Sequence, residues 1–147
     1  MGSKVEIEEQ PNPRDVATVR RGLDEYNLAF AGDYNRKALT VFLRGGNDEV
    51  IGGLLARTYW GYLNIDILWI AEEHRNEGHG KRLLNVAEEE AIRRGCRYSS
   101  LDTYTFQAVP FYQKNGYSVV GEFEDFPPGY NRYFMRKALL PGTPKAN

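Results

Sequence analysis

Cysteine and histidine are scarce in this chain. Its 147 residues include one Cys, Cys96, and two His, His74 and His79. A single Cys excludes an intramolecular disulfide and a cysteine-based zinc site. Two His five residues apart are too few for a histidine-rich centre, so no metal is expected. An unpaired thiol fits a reducing compartment, and a cytoplasmic location is the expectation. No window holds the roughly 18 consecutive apolar residues that a membrane span needs. The opening Met1-Gly2-Ser3-Lys4 also lacks the apolar stretch of a secretory signal. Charge of one sign is missing too. Nineteen Lys and Arg face twenty Asp and Glu, a formal net charge of -1, which leaves no broad basic footprint for nucleic acid. Repeats and low-complexity tracts are not seen.

Aromatic residues, in contrast, are plentiful: ten Tyr, seven Phe and two Trp. A chain of this size buries roughly 68–70% of its unfolded surface and needs no covalent staple. The expected plan is an unstructured start over residues 1–4, one domain over 5–139, and a flexible tail over 140–147, where two Pro and a Gly interrupt any pattern.

Val5 and Ile7 alternate with polar residues, which predicts a short first strand. Asn12-Pro13 reads as a helix cap followed by Pro at the first helical position. Val16, Val19, Leu23, Tyr26 and Phe30 then recur at helical spacing up to Gly32. Strands are predicted over Ala38–Arg44, Val50–Tyr59 and Tyr62–Ala71, separated by Gly-rich turns. The third is apolar on nearly both faces and so reads as central. A helix over Gly78–Arg94 carries the stripe Leu83, Leu84, Ala87, Ala91 and Ile92, and ends at Gly95. A strand over Tyr98–Thr103, a short helix over Gln107–Asn115, and strands over Tyr117–Phe123 and Tyr130–Ala138 complete the chain. The order is β-α-β-β-β-α-β-α-β-β: an α/β (α+β) domain with a mixed, mostly antiparallel central sheet flanked by helices. Three consecutive strands joined by tight turns argue against a doubly wound dinucleotide fold.

The strongest chemical signal follows the central strand and opens the long helix: Arg75-Asn76-Glu77-Gly78-His79-Gly80-Lys81. Glycines there let backbone approach a ligand closely, and free N–H groups at a helix start favour an anion such as pyrophosphate. A P-loop would need Ser or Thr after Lys81, but Arg82 stands there. A dinucleotide fingerprint fails at Leu83, where a third Gly is required. The pattern left is R-x-x-G-x-G. In its strand–loop–helix setting it resembles the acetyl-CoA-binding motif of the GNAT superfamily of N-acetyltransferases. The segment Ala108–Tyr117 (Ala-Val-Pro-Phe-Tyr-Gln-Lys-Asn-Gly-Tyr) is similar to that family's second motif, A-x-x-[FL]-Y-x-K-x-G-[FY]. The element order resembles the same fold across residues 5–138.

The resemblance implies a metal-free transfer of acetyl from acetyl-CoA to a primary amine within a ternary complex. Pyrophosphate is expected over Arg75, Asn76, Glu77, Gly78, His79, Gly80 and Lys81. The pantetheine arm is expected along Leu68, Trp69 and Ile70, where a backbone N–H helps hold the developing oxyanion. Tyr112 matches the tyrosine that often protonates the leaving thiolate; read without the motif, it is better taken as a core aromatic on a short helix. A carboxylate on the central strand often serves as base. Asn64 aligns best with that position and cannot accept a proton. Asp66, two residues on, is the remaining candidate, weighed against a structural Asp bonded to a neighbouring strand. Two departures stand out. Thr105 occupies the place of a usual Asn that contacts pantetheine, with Gln107 as the candidate replacement, and Asn76 follows Arg75 where many relatives have Gly.

The acceptor site of such a fold draws on the first helix, the central strand and the last hairpin. That selects Tyr26, Asn27, Asp102, Tyr104 and Tyr130, an acidic and aromatic set suited to a small cation. A small-molecule amine is therefore the expected acceptor, and nucleic acid and membrane are not expected partners. Relatives often form homodimers, for which the final hairpin with Phe123, Phe126, Tyr130 and Tyr133 offers a patch. The alternative from another class is a non-catalytic acyl-CoA-binding sensor or interaction module on the same fold.

Overall fold

The computed structural model describes residues 2–139. The expected tail over 140–147 lies outside the described residues. The chain divides between Tyr34 and Asn35 into two compact units.

The first unit is built on one helix, α1 (Pro13–Ala31). Its start follows local chemistry. Asn12 sits in extended backbone and its Oδ1 accepts the Arg14 N–H at 2.9 Å, while Pro13 takes a position whose N–H has no helical partner. Gly32 closes the helix with φ 75° and donates to Leu28 O. The strand expected at Val5–Ile7 does not form: residues 2–8 carry no secondary structure. Two alternating apolar residues between Lys4, Glu6 and Glu8 supply a pattern but no ladder. A strand holds only against a partner strand, and the described residues of the first unit contain none.

Among its described residues the second unit contains six strands: β1 (Lys37–Arg44), β2 (Val50–Tyr59), β3 (Tyr62–Ile70), β4 (Tyr98–Tyr104), β5 (Ser118–Phe123) and β6 (Arg132–Ala138). They form one sheet in the order β1-β2-β3-β4-β6-β5. Only β3 and β4 run parallel, and the crossover between them is α2 (His79–Arg93). A short helix, α3 (Val109–Lys114), links β4 to β5. These bounds fall within about two residues of those read from the sequence, as terminal fraying allows.

α2 lays Leu83, Leu84, Ala87 and Ala91 against Leu54, Ala56, Leu63 and Ile65 of the sheet. Leu54 and Leu63 are fully buried, each contributing about 1.5–3 kcal/mol relative to exposure. Beside this apolar layer runs a buried polar chain. Tyr117 donates to Glu88 Oε2 at 2.8 Å, and Lys137 Nζ reaches Glu88 Oε1 at 2.8 Å. Because the Tyr117 proton is committed to Glu88, Ser99 donates to Tyr117 at 2.7 Å. Burial, reinforced by the Glu88 charge, pushes the Tyr117 phenol far above its usual range. The chain ties α2, β4, β6 and the entry to β5 together.

β3 is central, third among the six strands, but its two halves differ. Across β2 the register runs Ala56 to Ile65 and then Leu55 to Ile67, so Asp66 is an extra residue, a β-bulge. Pairing with β4 covers only Tyr62–Ile65 against Tyr98–Leu101. Beyond that point β3 stays with β2 as far as Ile70 opposite Gly52, while β4 stays with β6 as far as Tyr104 opposite Arg132. The two parallel strands therefore part inside the sheet. The apolar run of β3 is accordingly not buried on both faces: Ile67 and Trp69 are each about half exposed.

Candidate active site

The parting of β3 and β4 opens a cleft of about 690 Å³. Leu68, Trp69 and Ile70 of β3 line one side, beyond the bulge, where the strand lacks a β4 partner. Arg75, Asn76, Gly78, His79, Gly80 and Lys81 line one end. Gln107 and Tyr112 line the opposite wall. Of the residues expected to hold the acetyl donor, Glu77 alone is not part of the lining.

The end formed by α2 is shaped for an anion. Gly78 is the residue before the helix, with φ 83°, a conformation that costs an ordinary residue about 1–2 kcal/mol. No side chain caps α2, and its first turn carries no acid. The first helical hydrogen bond is from Arg82 N–H to Gly78 O, so the N–H groups of His79, Gly80 and Lys81 have no helical acceptor. The positive end of the helix dipole is thus uncompensated from within the helix. A methyl at Gly80 would come within 3.0 Å of Phe111 Cζ, so the absence of a side chain lets the first turn of α2 lie close to α3. Arg75 Nε donates to Ile70 O at 2.8 Å, which fastens the loop to the end of β3. Glu77 acts on His79 instead of lining the cleft. Arg82 can only donate, so its 3.1 Å contact makes His79 Nδ1 an acceptor and places the proton on Nε2, 3.1 Å from Glu77.

Tyr112 is 8% exposed, yet lines the cleft. Its ring stands edge-on to Phe111 and to Tyr117 at centroid distances of 5.2 and 5.9 Å. Burial alone pushes its phenol up to about 12, so the hydroxyl remains a proton donor throughout the neutral range. Gln107 has a defined orientation. The Tyr104 N–H must meet an acceptor, so Gln107 Oε1 points to it at 3.0 Å and also accepts from Thr103 Oγ1 at 2.8 Å. The Gln107 Nε2 amide is the group left to bind a ligand.

Other expected site residues lie elsewhere. Asp66, on the bulge, is held by Arg57 Nη1 at 2.7 Å. Asn64 donates to Ser100 on β4 at 3.1 Å. Asp102 accepts from Arg132 Nε at 2.9 Å. Tyr104 and Tyr130 belong to an aromatic group beside the cleft and do not line it. Tyr26 and Asn27 are part of the first unit, where Asn27 Nδ2 donates to Tyr34 at 2.7 Å. Three lining residues were not among the expected site residues, Phe106, Ala108 and Phe111, and a fourth, His74, was expected only to face solvent or lie near the donor. Phe111 and Ala108 stood inside the second motif and His74 just before the first, so proximity to a motif was the available signal. Among the described residues no group of three or more His, Cys, Asp and Glu gathers as metal ligands would. Among them, too, no helix is long and apolar enough to cross a membrane.

Comparison with known proteins agrees with this geometry. An acetyltransferase of Agrobacterium fabrum is 32% identical over 119 residues, covering 81% of this chain and 87% of that protein. The blasticidin-S acetyltransferase of Streptomyces morookaense is 38% identical over 96 residues, covering 65% of this chain and 71% of that protein. The crystal structure of an acetyltransferase from Bacillus cereus superposes with a TM-score of 0.82 at 29% identity, covering 90% of this chain and 97% of that one. The model of the acetyltransferase (GNAT) family matches residues 5–117, which include the glycine loop, the parted strands and Tyr112, and the chain belongs to that family.

Proposed function

We propose that this acetyltransferase takes acetyl-CoA as donor and a primary amine on a small molecule as acceptor, joining them directly in a ternary complex. The observation that carries the reading is the cleft itself, which has an uncapped helix start at one end and a buried, protonated tyrosine in its wall.

The residues fit such a donor. The N–H groups of His79, Gly80 and Lys81 together with the Lys81 ammonium bind the pyrophosphate. The free edge of β3 over Leu68–Ile70 accepts the amide-bearing arm as an added strand would be accepted, and Gln107 Nε2 offers a further donor from the facing wall. Bound there, the thioester supplies an activated acetyl group. A β3 backbone N–H stabilises the charge that develops on its carbonyl oxygen. Tyr112 gives its proton to the departing thiolate.

The acceptor arrives largely as an ammonium and must lose a proton before attack. Asp66 is the carboxylate of β3, but Arg57 already holds it. That ion pair favours a second reading of this residue, in which Asp66 secures the bulge and solvent takes the proton. The test is free thiol release from acetyl-CoA across a panel of primary amines, with acetylated product identified by mass. Amine-dependent release supports the reading; tight acetyl-CoA binding with no amine-dependent release supports a sensor.

A further inference from the structure

Beside the cleft stands a group of rings that the reaction as described does not use. Phe106 belongs to both: it lines the cleft and is 56% exposed. It stacks on Tyr104, with centroids 5.4 Å apart and planes at 12°, and meets Tyr130 edge-on at 5.0 Å. Tyr130 is 45% exposed.

Phe106 is exposed on a rigid stem. On one side Thr105 N–H donates to Asn131 O at 3.0 Å, and Asn131 N–H returns to Thr105 Oγ1 at 2.9 Å. On the other, Gln107 is locked by Thr103 and Tyr104. The stretch Thr105–Gln107, which departs from the family pattern, thus builds a fixed mount for one exposed ring. The loop bearing Tyr130 is closed as well, by Phe126 N–H to Tyr130 O at 2.8 Å and Tyr130 N–H to Pro127 O at 2.9 Å.

Of the two carboxylates beside these rings, one is paired with a cation and the other is hydrogen-bonded to a neutral amide. Arg132 is bound to Asp102 and lies 4.8 Å from the Phe126 ring centre, and Glu122 accepts from Asn131 at 2.6 Å. Asp102 is therefore neutralised by Arg132, and Glu122 is held in place by Asn131. What the wall presents is ring surface, which a flat π-system meets better than a puckered one because offset stacking needs a planar partner.

We infer that Phe106, with Tyr130 at its edge, forms a stacking subsite for the acceptor, which is an amine carrying a planar aromatic or heteroaromatic ring. The inference rests on the functional reading above. The ring lies against Phe106 at the cleft mouth, and the amine reaches inward toward the thioester. A pre-positioned ring gives selectivity at little ordering cost.

The test compares kcat/KM for matched pairs of primary amines, one ring planar and the other saturated, such as 2-phenylethylamine and 2-cyclohexylethylamine, in wild type and in Phe106→Leu, Tyr130→Ala and Phe106→Tyr. The planar-to-saturated ratio should fall about three- to tenfold in the first two variants and persist in Phe106→Tyr. The KM for acetyl-CoA, measured alongside, separates this loss from damage to the donor site. An unchanged ratio in Phe106→Leu overturns the subsite while leaving the functional reading intact. Acetyl-CoA binding by wild type with transfer to no amine of the panel overturns the functional reading and the subsite together.

Discussion

Tyr112 and Gly78 carry the most chemistry at the scale of single residues. Replacing Tyr112 by Phe keeps the ring in its packed position and removes the proton. Since a positioned general acid contributes about 10²–10⁴-fold, kcat in Tyr112→Phe should fall at least about a hundredfold. The calorimetric Kd for acetyl-CoA should change less than about threefold. Unchanged turnover would assign the acid role elsewhere. The pH profile follows from the raised phenol. With its proton held up to about 12, the donor form exists everywhere below that value and is lost only as pH rises through it. The kcat profile should therefore show no descending limb from this group up to about pH 10. A limb near the ordinary tyrosine range, absent from Tyr112→Phe, would contradict the buried assignment. Gly78→Glu should abolish acetyl-CoA binding. It imposes a side chain on a backbone with φ 83° and puts a carboxylate where the proposed function places phosphate. Calorimetry showing wild-type affinity would remove the loop from the donor site. Both positions were legible in the sequence as candidates, because a glycine loop and a motif tyrosine are local patterns. Phe106 and the Asp66–Arg57 pair were not, because partners from separate elements meet only once the sheet is formed.

At the scale of elements, the bulge shows why part of the site could not be read in advance. From Ile65 onward β3 reads Ile-Asp-Ile-Leu-Trp-Ile, apolar at both odd and even positions. A one-residue slip therefore leaves no trace in the alternation, although it starts the parting that opens the cleft. The strand expected at Val5–Ile7 failed for the converse reason, alternation without a partner. Helix starts were more legible: Asn12-Pro13 before α1 and Gly78 before α2 act through their own backbone chemistry. The buried chain Ser99–Tyr117–Glu88–Lys137 was invisible to periodicity, since its members lie on α2, β4, β6 and the residue before β5. Tyr117→Phe would leave Glu88 and Ser99 each short of one partner. Unfolding in urea should show a loss of about 1–3 kcal/mol. A loss under about 0.5 kcal/mol would mean that water replaces the hydroxyl without cost.

At the scale of the whole molecule, the near-balance of charge and the scarcity of Cys and His take on a more specific meaning. On the proposed function, acyl transfer between a thioester and an amine would need no metal ligand set, and the positive charge it calls for would be local, at the α2 start. The fold class was legible because the strand lengths, the turns and the apolar stripe of α2 agree with one another. The family rests on the match over residues 5–117. The acceptor is the part that a fold alone does not specify. The central claim is that acetyl moves from acetyl-CoA to a small primary amine within this cleft. Its most direct measurement is thiol release from acetyl-CoA with and without each amine of a panel, with the product analysed by mass. The account predicts release that depends on the amine, a product heavier by one acetyl group, and loss of both in Gly78→Glu. Release that ignores the amine, or transfer that survives in Gly78→Glu, would contradict it.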